Sequence, residues 1–517
     1  MAASNTYYIT TPIYYVNDVP HIGHAYTTLA CDVLARFQRL DGRTVKFLTG
    51  TDEHGQKVEK SAQAKGMDPQ LFCDGVSQNF RDLSLLMNYS EDEFIRTTED
   101  RHTQASQALW QAVIHAGNDD IYLGKYAGWY SVRDEAFYGE EEIIDGADGK
   151  VGPTGAPVEW VEEPSYFFRL SAWQDRLLEF YDANPEFILP RNRRNEVVSF
   201  VKGGLRDLSI SRTSFKWGIP VPGDPDHIMY VWFDALTNYI TAAGYPDTDS
   251  EHFKTFWPAT VHVVGKDIVR FHAVYWPAFL MAAGVAPPKR VFAHGWWTVE
   301  GQKMSKSLGN FIPPHEIVDK YGVDSVRYFM LRELPFGNDG DFSHRAMVHR
   351  LNSDLANDLG NLVQRVLSMI NRNCEAQIPN PGDLHDEDTK LLGVSETLLS
   401  TVRDLISRQE IHLALEEIWR VIADANRYVD AMAPWELRKS DPDRMASVLF
   451  TLAETIRRIA ILVQPFVPTA AGRILDQLAV GEGARSFATI TGDTKLVPGI
   501  PLPKPEGVFP RFVDEAA

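Results

Sequence analysis

The chain has 517 residues, 44% hydrophobic and 23% charged, with 51 Lys and Arg against 70 Asp and Glu for a net charge of −19. That length accommodates about three or four domains, no run of ~18 apolar residues offers a membrane-spanning helix, and the acidic balance excludes a uniformly basic nucleic-acid surface. Residues 1–6 lack the basic and apolar regions of a signal peptide, and Cys31, Cys73 and Cys374 form no Cys-x-x-Cys pair, so a cytoplasmic protein with reduced thiols and neither disulfide framework nor zinc knuckle is expected.

Residues 7–11 are apolar and β-prone and predict a strand. His21-Ile22-Gly23-His24 follows, and Ala25, Leu29, Val33, Phe37 and Leu40 then recur at helical spacing. A strand, a loop and a helix N-terminus suit a phosphate. Gly23 permits close backbone approach, the helix start offers free amides, and His21 and His24 supply donors three residues apart. A second strand is predicted at 44–49, then Thr51-Asp52-Glu53-His54-Gly55 and a helix from about Gln56. This alternation implies a parallel sheet with covering helices.

From about residue 117 the composition changes. Gly, Pro, Glu and aromatic residues crowd 122–164, with turn signals at Asp145-Gly146 and Asp148-Gly149, and predict an irregular β-rich insertion. Arg191, Arg193 and Arg194, with Lys202 and Arg206, are a local candidate for a phosphate track in an acidic chain. The alternating pattern resumes near Met229, with buried strands at 261–264 and 291–293 around a helical stretch at 269–283. Gly265-Lys266-Asp267-Ile268 falls at a strand's C-terminal end, the edge where open α/β sheets bind ligands. Lys303-Met304-Ser305-Lys306-Ser307, with Gly309 close by, puts two ammonium groups three residues apart beside two hydroxyls, a loop able to close over phosphate.

Beyond about residue 344 the pattern is helical. Leu351, Leu355, Leu359, Leu362 and Val366 form one apolar face, and amphipathic segments at 389–407, 411–429 and 446–463 predict a helix bundle. Residues 487–517 are rich in Pro and Gly and are expected to run over the surface.

Singly, neither motif decides a function, because a histidine pair often caps or packs a helix and a Lys-rich pentapeptide is an ordinary solvated loop. Together and in this order they resemble the signatures of class I aminoacyl-tRNA synthetases, and the chain from about Tyr7 to beyond Trp435 is similar to methionyl-tRNA synthetases. The resemblance implies an α/β fold: a Rossmann-like parallel sheet split by an inserted connective domain and followed by an α-helical anticodon-binding bundle. The corresponding limits are 1–116 and 227–292 for the catalytic halves, 117–226 for the insertion, 293–345 for the lysine loop, 346–480 for the bundle and 481–517 for a surface tail.

The same resemblance implies a methionine–tRNA ligase using ATP and Mg2+ on L-methionine and tRNA(Met), with no membrane partner. His21, His24, Lys303 and Lys306 would be catalytic, and Gly23, Gly265, Asp267, Ser305 and Ser307 would bind ATP. Asp52 would hold the methionine ammonium, Ile13 and Tyr15 one wall, Trp232, Ala235, Leu236 and Tyr239 another, and Ile268 with His272 the thioether end. Asn361, Arg365 and Trp435 would read the anticodon. Many family members carry zinc-binding Cys-x-x-Cys pairs in the insertion, but Trp129-Tyr130-Ser131-Val132-Arg133-Asp134 has Ser131 and Asp134 at the matching place. No structural zinc is therefore expected, and Trp129, Tyr130, Phe137 and Tyr138 are candidates to hold the knuckle by packing. A monomer is expected, since the dimerising extension of some members has no room after about Ala479.

Two rival readings remain. A nucleotidylyltransferase can carry a His-x-Gly-His loop but needs neither the long helical region nor Asn361 and Trp435, and an inactive RNA-binding paralogue should have damaged motifs, whereas His21, His24, Lys303 and Lys306 all stand.

Overall fold

The computed structural model describes residues 5–16, 19–146, 149–299, 302–303, 312–492 and 495–513. A seven-stranded sheet organises the catalytic half. Its spatial order is Ile188–Leu189, Val291–His294, Val261–Gly265, Thr6–Thr10, Thr44–Asp52 and Tyr14–Tyr15, with Glu93–Arg96 also on Thr44–Asp52. Every pairing is parallel. The strands are covered on both faces, which is why Ile9, Phe47, Leu48, Val263 and Val264 are all buried. Helix Ile22–Leu40 packs Leu29, Val33 and Phe37 inward, as their spacing predicts. The strand predicted at 44–49 runs on to Asp52, so that carboxylate finishes a strand at the sheet's C-terminal edge.

The insertion is β-rich as expected. Ile121–Ser131 and Glu159–Phe168 form a long antiparallel pair flanked by Ala136–Tyr138 and Leu208–Ser209. Ile188–Leu189, however, lies inside the expected 117–226 insertion yet pairs in parallel with Val291 and Phe292 of the catalytic sheet. Two apolar residues are too short a run to stand out from the irregular composition around them, so the chain's brief return to the sheet leaves no periodic signal.

The bundle is built from Asn361–Asn373, Asp386–Ser407, Ile411–Met432, Pro442–Val463 and Pro468–Gln477. Leu351, Leu355, Leu359, Leu362 and Val366 are buried on one face as predicted. Arg327, fully buried in Val323–Arg332, ties the bundle to the helices that cover the sheet: its guanidinium meets the Asp32 carboxylate at 2.6 Å and donates to the carbonyls of Met87, Asn88, Pro465 and Phe466. The segment expected as a surface tail is anchored, with Phe487, Ile490, Leu496 and Val508 buried and Phe512 against Tyr321. Among the described residues no helix is long and apolar enough to cross a membrane.

Candidate active site and anticodon surface

His21 caps helix Ile22–Leu40, its Nδ1 accepting from the Gly23 amide at 3.0 Å, while His24 Nδ1 accepts from the His21 amide at 3.1 Å. With both Nδ1 atoms acting as acceptors, each ring carries its proton on Nε2, where it can be donated to an anionic oxygen. The rings stack with centroids 3.9 Å apart, and burial, reinforced by His21, holds His24 well below the ordinary imidazole range. A Cβ on Gly23 would sit 2.8 Å from His21 Cε1, so the glycine serves the imidazole's placement as well as close approach of a phosphate. One amide expected to be free at this helix start is taken by His21 itself.

Asp52 lies in register with Tyr15 across adjacent strand ends. Asp52 Oδ1, the Tyr15 hydroxyl and Trp232 Nε1 are all buried and have no hydrogen-bond partner among the described residues. Unpartnered buried polar atoms are uncommon, and three of those in this protein belong to candidate residues for the methionine site. Burial, followed by the Asp234 and Glu135 carboxylates, pushes Asp52 well above the usual carboxylate range. Pairing with a cation would reverse that penalty.

The second wall is Val231–Thr241, where Trp232, Ala235, Leu236 and Tyr239 are buried. Trp232 stacks flat on Phe271 at 3.8 Å, and Ile13, Tyr15, Ile268 and Phe271 pack against the cluster holding Trp232, Leu236 and Tyr239. His272 Nδ1–H donates to the Ile268 carbonyl at 3.0 Å, which leaves Nε2 to accept from the Tyr239 hydroxyl at 2.7 Å. Burial pushes His272 down to about 4, so it stays neutral at neutral pH.

Several residues near this site have no counterpart in the sequence reading. Asp234 is fully buried between His54 Nδ1 and His102 Nε2, each 2.7 Å away, and is held at about 2 against its burial by those two histidines. Glu135 reaches from the insertion to the Lys57 amide at 3.1 Å. His262 stacks on Tyr239 at 4.1 Å. A carboxylate inside the apolar run around Asp234 was a usable signal, because a buried charge must be paired. Glu135, in the charged run Arg133-Asp134-Glu135, reads as a solvated turn.

Gly265 ends the strand Val261–Gly265, and a Cβ there would strike Asp267 Oδ1 at 2.5 Å. Asp267 accepts from Trp296 Nε1 at 3.0 Å, and Lys266 is paired with Asp339 at 2.7 Å. The Lys303 backbone pairs with Thr298, while Ser305, Lys306 and Ser307 lie outside the described residues. A cavity of about 540 Å³ lies at the opposite, N-terminal edge of the sheet, lined by Arg43, Lys289, Arg290 and Arg403 among others, and shares none of these candidate residues.

In the insertion, Ser131 Oγ accepts from the Asp134 amide at 3.2 Å, and Asp134 accepts from Tyr138 and Thr154. A hydroxyl and one engaged carboxylate do not form a zinc ligand set. The turn is also packed by Phe137 against Tyr130 at 4.9 Å, and Trp129 meets Trp160 at 5.3 Å. Among the described residues no group of three or more His, Cys, Asp or Glu is arranged to hold a metal. In the basic cluster, Arg193, Arg194 and Arg206 are ion-paired with Glu196, Asp182 and Glu141, which weakens a phosphate track there.

Asn361 and Arg365 lie one turn apart on Asn361–Asn373. Arg365 meets Asp430 at 2.8 Å and lies 5.7 Å from the Trp435 ring centroid, so these side chains share one surface. Ala433, in the left-handed region at φ 43°, turns the chain abruptly into Pro434–Ser440 and leaves Trp435 46% exposed.

A family model described as tRNA synthetases class I (M) matches residues 7–367, and a second, the anticodon binding domain of methionyl tRNA ligase, matches residues 378–517. The chain belongs to the class I methionyl-tRNA synthetases. A methionine–tRNA ligase of Mesorhizobium japonicum is 58% identical over 510 residues, 98% of each chain, and one of Brucella suis is 58% identical over 509. The Mycobacterium tuberculosis methionyl-tRNA synthetase in complex with methionyl-adenylate has a TM-score of 0.96 at 53% identity, covering 98% of this chain and 100% of that one. The apo form of that synthetase gives 0.89 at 50% identity, covering 99% of each. Membership in the methionyl-tRNA synthetases accounts for a split parallel sheet and a helical bundle in one chain, which the nucleotidylyltransferase reading does not require.

Proposed function

We propose that this chain is a methionine–tRNA ligase whose two walls at the sheet's C-terminal edge hold methionine while ATP is bound across the neighbouring loops. The observation that carries the reading is Asp52: a buried carboxylate with one oxygen unpartnered among the described residues, opposite an aromatic and apolar wall and one strand away from the His21–His24 loop. An α-ammonium satisfies such a carboxylate, and an uncharged thioether suits Trp232, Leu236, Tyr239 and Ile268.

Activation requires the methionine carboxylate to attack the α-phosphate of ATP in line, forming methionyl-adenylate and expelling pyrophosphate. The substrate is its own nucleophile, so the protein's work is positioning and charge neutralisation. His21 and His24 donate through Nε2 to the phosphates, neutral His272 and Tyr239 fix the pocket's end, and Gly265 and Asp267 contact the nucleotide. Lys303 and Lys306 neutralise charge on departing pyrophosphate, with Ser305 and Ser307 beside them. Mg2+ enters as part of the nucleotide substrate, bound through its phosphates rather than a protein cage. The adenylate then passes methionine to the terminal ribose hydroxyl of tRNA(Met), selected through Asn361, Arg365 and Trp435. The domain limits follow this division of labour: catalytic halves in 1–116 and 227–292, with residues 188–189 returning to the sheet, connective insertion within 117–226, lysine loop at 293–345, bundle at 346–480 and an anchored tail.

Pyrophosphate exchange measured with each standard amino acid tests the reading. Methionine should support exchange far above the rest, and a preference for any other amino acid would overturn it.

A further inference from the structure

We propose that Glu135 of the insertion is a positioning residue for the amino-acid site, capping helix Gln56–Ala64 from outside its own segment and so fixing residues 52–55, which carry Asp52. The inference deepens the reading above and rests on it. Helix Gln56–Ala64 begins after Gly55, a residue at φ 105° with no side chain to cap the helix amides. Glu135 Oε1 fills that role by accepting from the Lys57 amide at 3.1 Å. A Cβ on Gly55 would lie 3.1 Å from the same oxygen, so the glycine also makes room for the foreign cap.

Glu135 is 1% exposed and sits in the left-handed region at φ 49°, a conformation that persists only where the surroundings enforce it. Its other carboxylate oxygen accepts from the Tyr130 hydroxyl on the insertion strand, and its carbonyl accepts from Tyr230 at 2.8 Å. Tyr230 immediately precedes the Trp232 helix. On the far side of residues 52–55, His54 is gripped by Asp234 of that helix. The Asp52 segment is thus held between insertion and wall, and Lys57, the residue whose amide is capped, lays its ammonium 5.3 Å from the Tyr15 ring centroid. Release of the cap would shift Asp52 and Tyr15 together, whereas the nucleotide-side histidines have their own cap in His21.

Methionine-dependent pyrophosphate exchange in the full-length protein separates this role from simple structural support. Glu135→Ala should raise the methionine KM about tenfold while leaving the ATP KM within about twofold. Glu135→Gln, whose amide can still accept from Lys57 and donate to the Tyr130 oxygen, should return the methionine KM to within about threefold of the parent. Equal changes in both KM values, an unchanged methionine KM, or Gln as impaired as Ala would overturn the proposal. Should the Ala variant fail to fold, Tyr130→Phe removes only the bond that aims the carboxylate. It should raise the methionine KM by about threefold with the ATP KM unmoved, and no change in the methionine KM would equally overturn it. A parent protein without methionine-dependent exchange would instead sink the functional reading itself.

Discussion

Asp52 is 3% exposed and Trp435 is 46% exposed, though both are proposed to recognise one half of a bipartite substrate set. Around Asp52 the groups are buried: polar atoms of Asp52, Tyr15 and Trp232 have no hydrogen-bond partner among the described residues, and neutral His272 is locked by Ile268 and Tyr239. Around Trp435 little is desolvated before an RNA arrives; Arg365 is engaged with Asp430, and the ring lies open beside it. The buried site sustains its desolvation through folding energy and gains strong, directional contacts in a low dielectric. The open surface costs the fold little, and under the proposed role a loop of single-stranded RNA would supply most of the missing burial by stacking. Substitutions in the two regions should therefore fail in different assays.

The largest effect is expected at Lys306, which is proposed to act on charge formed only during reaction. Lys306→Ala should lower kcat for pyrophosphate exchange ~10³-fold with little change in methionine KM. An unchanged exchange rate removes the lysine loop from the chemistry. Next is acid stability. His272 titrates at about 4 in the fold against an ordinary 6.5, so the unfolded chain binds a proton that the native state refuses between those values. Its contribution is whole above 6.5, declines as pH falls through the window and is lost below 4, about 3 kcal/mol in all. Urea midpoints of the parent should fall more steeply from pH 6.5 to 4 than those of His272→Gln; parallel curves would refute the assignment.

Asp52→Asn keeps the side chain's shape and removes the proposed anionic partner of the ammonium. The methionine KM should rise ~30-fold, equivalent to about 2 kcal/mol, with ATP affinity preserved. An equal loss for both substrates would make Asp52 a general scaffold residue and blur the contrast with the RNA surface. The smallest effect is expected at Trp435→Ala: charging of tRNA(Met) should weaken ~10-fold and pyrophosphate exchange should stay at the parent rate. If exchange falls in step with charging, the two regions are not separable and the comparison breaks.

Legibility in the sequence followed the range over which each signal is written. The His21–His24 loop, its helix and the bundle faces are local patterns, and the structure reproduces Leu29, Val33, Leu355 and Val366 as buried. Trp232, Tyr239 and His272 came forward only through family resemblance, because an aromatic on an apolar helix usually packs a core. Asp234, His54 and Glu135 stayed hidden because their significance lies in partners 78 to 180 residues away. The strand Ile188–Leu189 was missed for a different reason, being too short to carry any period.

The register of the central strand has a consequence for the newborn chain. Ile9 finds Phe47 on one side almost at once, but its other neighbour, Val261, is 252 positions downstream. At synthesis rates of 5–20 residues per second, that edge waits roughly 12–50 seconds for its partner. During this interval the strand's edge carries unpaired backbone amides and carbonyls flanked by apolar side chains, a template for any extended peptide. The register thus makes closure of the sheet on its amino-terminal strand a long-range step, completed only after the insertion has been synthesised.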